Sequence, residues 1–296
     1  MKKYKAIIFV IVAILFSACE DIIDVNLSDE LVDLYAIEAN ITTETNPYVY
    51  VYKSHKVNVS DPYEGVSGAT VTISDDSQPV KEITLIESSE KAGLYITESG
   101  NDFHGETGKK YFVTIKTNDV TITGSDVLAT VEPIDSIQVH SSLRGDHRFL
   151  GVFTYGNEPA GLGDYYKWDI YINNELLSEA EYLVIASDEL VDGNYVEGFE
   201  IFTDFHDLNK PEERKIKLGD TIQVKQNSIS AFAYQYYFQM LNQSQTGGFF
   251  SVPPANIKSN FISSDGKPVL GLFTTNDVST SNSVIIDQAI EDQLKD

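Results

Sequence analysis

The chain has 296 residues, 42% of them hydrophobic, and carries 45 acidic against 21 basic side chains for a formal net charge of -24. So acidic a balance argues against nucleic-acid binding, since affinity for phosphate is supplied by clustered Lys and Arg. The length favours two domains, and 17 Tyr and 15 Phe with many Val and Thr lean the composition toward strands.

Lys2, Lys3 and Lys5 open the chain, the uncharged run Ala6 to Ser17 follows, and small residues precede Cys19, the single cysteine. This is the layout of a secretory signal. Twelve apolar residues make about 18 Å of helix, short of the ~20 residues a bilayer span needs, so residues 1-18 read as a cleaved signal peptide. Phe16-Ser17-Ala18-Cys19 resembles the lipobox of bacterial lipoproteins, with Leu15 one place earlier than the usual Leu. The resemblance implies an acylated Cys19 as the membrane anchor, and two or three acyl chains hold firmly where one is marginal. Lipidation also gives a lone cysteine outside the cytosol its reason. Losing three lysines with the signal takes the charge to -27. Residues 19-33 then form an acidic tether, with Glu20, Asp21, Asp24, Asp29, Glu30 and Asp33. Its acidity resembles the export signal of lipoproteins that face the cell exterior from the outer membrane; a plain charged spacer is the other reading.

From Leu34 the pattern has period two: Tyr35, Ile37, Ala39 and Ile41 face one way, Ala36, Glu38 and Asn40 the other. Tyr48 to Lys53 sets Val49 and Val51 against Tyr48, Tyr50 and Tyr52. Ala69 to Ile73, Val80 to Ile86, Leu94 to Glu98, Tyr111 to Lys116, Val120 to Ile122 and Val127 to Val131 continue the series. Seven or eight short strands with turns between them predict an immunoglobulin-like β-sandwich over residues 34-132.

Pro133 marks the boundary, and residues 133-296 are expected to form a second β-rich domain, a larger sheet or partial barrel. In "YYKWDIYINN", Tyr166, Trp168, Ile170 and Ile172 share one face and Lys167, Asp169 and Tyr171 the other. One segment breaks the β pattern. Ile229, Phe232, Ala233, Tyr236, Tyr237, Met240 and Leu241 recur at helical spacing, Ser228 is placed to cap, and Gly247-Gly248 ends the run, predicting an amphipathic helix near 228-243. Pro253-Pro254 holds an extended loop after it. Two strands, Val269 to Thr274 and Ser283 to Ile286, finish the expected fold.

No catalytic constellation stands out. His55, His104, His140, His147 and His206 are widely spaced with no HExxH pairing, and "GVSGAT" at 65-70 lacks the spacing of a nucleophile elbow. The best cation candidate is Asp188, Asp192, Asn194 and Glu197, which lacks the calcium-loop spacing and reads better as a polar hairpin loop, so no metal and no cofactor are expected. Two aromatic groups are candidate ligand or partner contacts: Tyr48, Tyr50 and Tyr52 on one strand, and Tyr165, Tyr166 and Trp168 on another. Sheet packing is the competing account of both. "DSI" and "DTI" resemble the D-[ST]-aliphatic sequence glycosylated on exported Bacteroidota proteins, which makes Ser136 and Thr221 candidate O-glycosylation sites.

Several stretches together resemble one family. They are "CEDIIDVNL" after the lipobox, "VSGATVTISDD", "GLYITES" before "GKKYFVTIKT", "PIDSIQV", and the late "GGFFSVPPANIKSNF" with "LGLFTTNDVS". Their order resembles a Bacteroidota outer-membrane lipoprotein family, the domain of unknown function 4249, over nearly the whole mature chain. Members are often encoded beside TonB-dependent receptors of the starch-utilisation type. The resemblance therefore implies a non-enzymatic accessory binding component of a TonB-dependent nutrient importer, with such a receptor as partner and the membrane reached through lipidated Cys19. The alternatives are a structural or adhesive surface lipoprotein without a transport role and, third, a surface hydrolase. The family carries no established catalytic residues, so none transfers to this chain.

Overall fold

The computed structural model describes residues 33-54, 63-244 and 257-295. The signal peptide, Cys19, most of the acidic tether, His55 and the Pro253-Pro254 pair lie outside the described residues. Among the described residues no helix is long and apolar enough to cross a membrane.

The chain is mainly β. Alternation in the first third becomes β1 (Tyr35–Thr42), β2 (Tyr48–Lys53), β3 (Glu64–Gly65), β4 (Thr70–Asp75), β5 (Glu82–Glu87), β6 (Leu94–Ile96), β7 (Lys110–Lys116) and β8 (Thr121–Val127). Then come β9 (Ser136–Arg144), β10 (His147–Asn157), β11 (Tyr165–Ile172), β12 (Glu175–Leu176), β13 (Val184–Ser187), β14 (Tyr195–Thr203) and β15 (Thr221–Ser228). Helix α1 (Ala231–Ser244), β16 (Phe261–Ser263), β17 (Leu270–Asn276), β18 (Val278–Thr280), β19 (Val284–Ile285) and the short helix α2 (Gln288–Asp292) complete it.

The first sheet runs β16-β8-β7-β4-β5-β6-β2-β1-β17, with β3 attached to β2. Its inward residues alternate as period two requires, and Ile37, Ile41, Val49, Val51, Val71, Ile73, Val113, Ile115 and Ile122 fill one core. Two of its strands come from far along the chain. β17 lies parallel to β1, from Ala36 opposite Leu270 to Thr42 opposite Asn276, and β16 pairs with β8. Phe261 and Phe273 thereby enter the same core as residues 34–128. Gly271 permits the close approach to β1: its φ is 96°, and a Cβ there would lie 1.9 Å from the Ile37 carbonyl oxygen.

A three-stranded sheet, β14-β10-β9, and a six-stranded one, β12-β11-β15-β18 with β13 and β19 attached, form the second body. Leu150, Val152, Trp168, Ile170, Ile201, Ile222 and Val224 share its core, against which Ile290 of α2 and the following Leu294 pack. Asp204 is buried and accepts backbone hydrogen bonds from Lys215 (2.9 Å) and Ile216 (3.0 Å), which ties an irregular connection to this core.

Three local expectations change. Val127 to Val131 is not a strand: β8 ends at Val127, and Val131 is buried from a non-repetitive passage. Among the described residues after α1, the two expected strands appear as β17 and β19, and β16, β18 and α2 are additions to them. The helix begins at Ala231, and its cap is Ser230, whose Oγ accepts from the Ala233 amide at 3.2 Å. Ser228 is instead the last residue of β15, where its hydroxyl donates to the Ala129 carbonyl at 2.6 Å and accepts from the Asp277 amide at 2.9 Å. On the expected apolar stripe, Ile229 and Ala233 are buried and Tyr236 and Tyr237 pack inward with Tyr234, while Phe232 and Met240 are exposed.

Candidate ligand-binding cleft

Period-two alternation sends aliphatic residues into the two cores and leaves polar and tyrosyl faces outside. On β2, Val49 and Val51 point inward and Tyr48 and Tyr52 outward; on β1, Glu38 and Asn40 do the same opposite Ile37 and Ala39. On β11, Tyr166, Trp168 and Ile170 are buried, so Lys167, Asp169 and Tyr171 face out. The chain then brings these outer faces together. β17 belongs to the first sheet and β18, two residues later, to the third, so a single connection carries one sheet past the other. Between them lies a cleft of about 650 Å³, completed by Tyr236, Tyr237 and Met240 of α1.

Its charges are mostly paired. Lys167 forms an ion pair with Asp169, whose other oxygen accepts from Asn227 Nδ2 at 2.8 Å. Lys225 meets Glu44 at 2.6 Å, and the Thr280 hydroxyl donates to Glu44 at 2.7 Å. Burial opposes the Glu44 charge, but these hydrogen bonds outweigh it and hold the carboxyl below its ordinary range. Lys225 is pushed up, first by the hydrogen bond to Glu44. The Tyr48 hydroxyl donates to Glu38 Oε1 at 2.6 Å. Burial raises the tyrosine phenols, with Glu38 adding to it: Tyr52 is pushed up to about 12, Tyr236 is also raised, and Tyr48 and Tyr237 go well beyond the ordinary phenol range. At neutral pH these hydroxyls stay protonated and available as donors.

The first aromatic candidates therefore divide. Tyr48 and Tyr52 line the cleft. Tyr50 lies beside it, 4.9 Å from Tyr52 between ring centres, with Lys91 Nζ 3.9 Å above its ring. The second trio divides too. Tyr165 packs on Tyr234 of α1 at 4.9 Å, while Tyr166 and Trp168 are buried in the second core and border a smaller cavity of about 310 Å³, Trp168 also touching the cleft. Trp168 stands 5.3 Å from Phe199 and donates Nε1–H to Gln226 Oε1 at 2.9 Å. Leu190, 96% exposed, lines the same cavity.

Beside that cavity Glu158, Asp164 and Asp188 place carboxylate oxygens within 4.8 Å of one another. Oxygen donors of this kind suit a hard divalent cation such as calcium. Of the residues weighed for calcium from the sequence, Asp188 alone joins this group, and it accepts from the Gly163 amide at 2.8 Å and the Asp164 amide at 3.1 Å. Asp192 accepts instead from the Gly161 amide at 2.6 Å, and Asn194 donates to the Asp192 carbonyl at 2.8 Å. Glu197 lies on β14 opposite Tyr155. Burial first, then the neighbouring acids, push Glu158 and Asp164 up, even though the Tyr166 hydroxyl donates to Glu158 at 2.9 Å.

Ser136 and Thr221 open β9 and β15, both half-buried, away from the cleft lining. No histidine joins a group of three metal-binding side chains among the described residues. His140 stacks on Phe153 at 3.8 Å, and His206 Nδ1 lies 2.8 Å from the Asp204 carbonyl oxygen. Glu38, Tyr236 and Tyr237 are the cleft residues the sequence did not single out together. The outward parity of Glu38 and the adjacent tyrosines on the helix were legible, but nothing in the sequence said that the two would meet. The family model described as Domain of unknown function (DUF4249) matches residues 20–282. No curated protein matches the chain.

Proposed function

The chain belongs to the DUF4249 family, and we propose that it is a lipoprotein held on the outer face of the outer membrane through Cys19, serving without catalysis as an accessory binding component of a TonB-dependent nutrient importer. The observation that supports this best is the cleft between the first and third sheets. Its volume lies within the ~300–1,000 Å³ of small-molecule sites, and its walls combine aromatic rings with hydrogen-bonding groups. Its chemistry favours holding over reacting. A nucleophilic lysine or tyrosine needs a lowered pKa, whereas Lys225 and the cleft tyrosines are shifted upward.

Residues 20-33 add reach. Fourteen residues extend at most ~45 Å at ~3.3 Å each, enough to set the folded part over a receptor barrel while the lipid stays in the bilayer. Tethering also raises effective concentration, so a weak interface suffices. Affinity purification from native outer membranes, with an unrelated lipoprotein as control, tests the reading. A TonB-dependent receptor should be enriched over the control. If none is, the importer role fails and a structural or adhesive role replaces it.

A further inference from the structure

We infer that the cleft takes an organic cation, an amine or guanidine seated among the tyrosines of β2 and α1 against the carboxylate of Glu38. This rests on reading the cleft as a binding site and names what it binds. The first ground is charge. Asp169 is paired with Lys167, Glu44 with Lys225, and Glu179 at the rim lies 3.8 Å from Lys215, so both lysines lining the cleft are committed. Glu38 differs: its hydrogen-bond partner among the described residues is the neutral hydroxyl of Tyr48. One carboxylate charge at the cleft is left for a ligand to neutralise.

The second ground is the wall. Tyr48 and Tyr52 from β2 and Tyr236 and Tyr237 from α1 line one space with Glu38. The Glu38 charge contributes to raising each of these four phenols, so its field reaches all of the rings. The face of an aromatic ring carries the negative lobe of its quadrupole and attracts an ammonium or guanidinium within ~6 Å of the ring centre. Elsewhere this chain makes the same contact with its own side chains, Lys53 Nζ lying 3.5 Å from the centre of the Tyr35 ring. The third ground is the long-range field. A chain with formal charge -24 concentrates cations near its surface and repels anions. A neutral sugar could stack on the same rings and donate its hydroxyls to Glu38, but it brings no charge to pair with that carboxylate, so its binding would not weaken with salt.

The test is titration calorimetry of the detergent-solubilised full chain with three probes: choline, arginine methyl ester and maltose. At least one of the two cations should bind, and added salt should weaken it. Glu38→Gln, on an exposed position that keeps the fold, should weaken that binding about tenfold, and Tyr236→Ala should weaken it with the far-ultraviolet circular dichroism unchanged. The inference is overturned if neither cation binds, if Glu38→Gln binds as tightly as the parent, or if maltose binds and the cations do not. Receptor co-purification that persists in any of those cases leaves the importer reading standing and removes only the ligand class. Cation binding without co-purification does the reverse.

Discussion

Phe273→Ala should destabilise the whole first sheet, although residue 273 lies far beyond the stretch from which that sheet is mostly built. Phe273 is fully buried on β17, its ring centre 6.5 Å from that of Phe261. Its backbone is held on both sides by Asn260, which accepts from the Phe273 amide at 2.9 Å and donates to the carbonyl at 2.8 Å. With the main chain pinned, the surroundings can collapse little into the space left by the ring. The loss should therefore fall in the usual range for a buried Phe→Ala change, ~3–5 kcal/mol. Against a total stability of ~5–15 kcal/mol this is a large fraction. Equilibrium urea unfolding followed by far-ultraviolet circular dichroism, which reports all sheets, and by the fluorescence of Trp168, which sits in the second core, measures it. Phe232→Ala, exposed on α1, is the matched control and should change stability by no more than ~0.5 kcal/mol. A Phe273→Ala loss below ~1 kcal/mol would falsify the claim that the C-terminal strands complete the first core.

Gly271→Ala should be comparably damaging, because its methyl group would meet the Ile37 carbonyl oxygen at a φ that L-residues avoid; a thermal midpoint equal to the parent's would refute the close β1–β17 approach. Glu158 and Asp164 are pushed up in the folded state, so between the ordinary carboxylate pKa of ~4 and their folded values the native state binds more protons than the unfolded chain, and stability falls as pH rises through that window. Asp164→Asn should therefore raise the thermal midpoint at pH 7 and flatten its pH dependence, and a lower midpoint for the variant at pH 7 would contradict this. Calcium should also raise the parent's midpoint more than that of Asp164→Asn if the three clustered carboxylates take a cation, and equal shifts would count against it. Cys19→Ala should abolish acyl labelling and release the protein from membranes on fractionation; retention equal to the parent would sink the lipid anchor.

What was legible in the sequence was local. Val49 and Val51 against Tyr48, Tyr50 and Tyr52 predicted both the strand and its faces, because side chains in a strand alternate whatever the strand packs on. Trp168 and Tyr166 were correctly placed on one face, and that face proved to be the second core, with the small cavity at its edge. Non-local pairing was not legible. β17 lies parallel to β1 with Leu270 placed 234 positions after its partner Ala36, and no short-range pattern encodes that return. The helix was found, and Ile229, Ala233, Tyr236 and Tyr237 of its stripe do pack on Leu272 and Tyr165, but Phe232 and Met240 fit the stripe by spacing and are exposed. The acidic group at Glu158, Asp164 and Asp188 was invisible for the same reason: it is assembled from a strand end, a glycine-rich loop and a 3-10 turn.

The cleft follows from how the two bodies are joined. Had the outer faces of β1–β2 and β11–β15 been aliphatic, their meeting would have closed into a third core, with no room for a ligand. They are instead tyrosyl and charged, so they approach without collapsing, and their spacing is set by polar contacts at the junction. Asp277, between β17 and β18, accepts from the Thr43 hydroxyl at 2.8 Å and from the Val131 amide at 3.0 Å, and donates its own amide to Ser228. Asn276 donates to the Ser228 carbonyl at 2.8 Å and accepts from Asn40 at 2.7 Å. These bonds reach the end of β1, the passage between the two bodies, and the end of β15, and several of their groups are buried, where an unmet hydrogen bond costs ~1–3 kcal/mol. The junction is therefore firm while the cleft it props open stays polar. For a cation of the kind inferred above, the rings and the Glu38 carboxylate are already in place, so binding would spend little on ordering them.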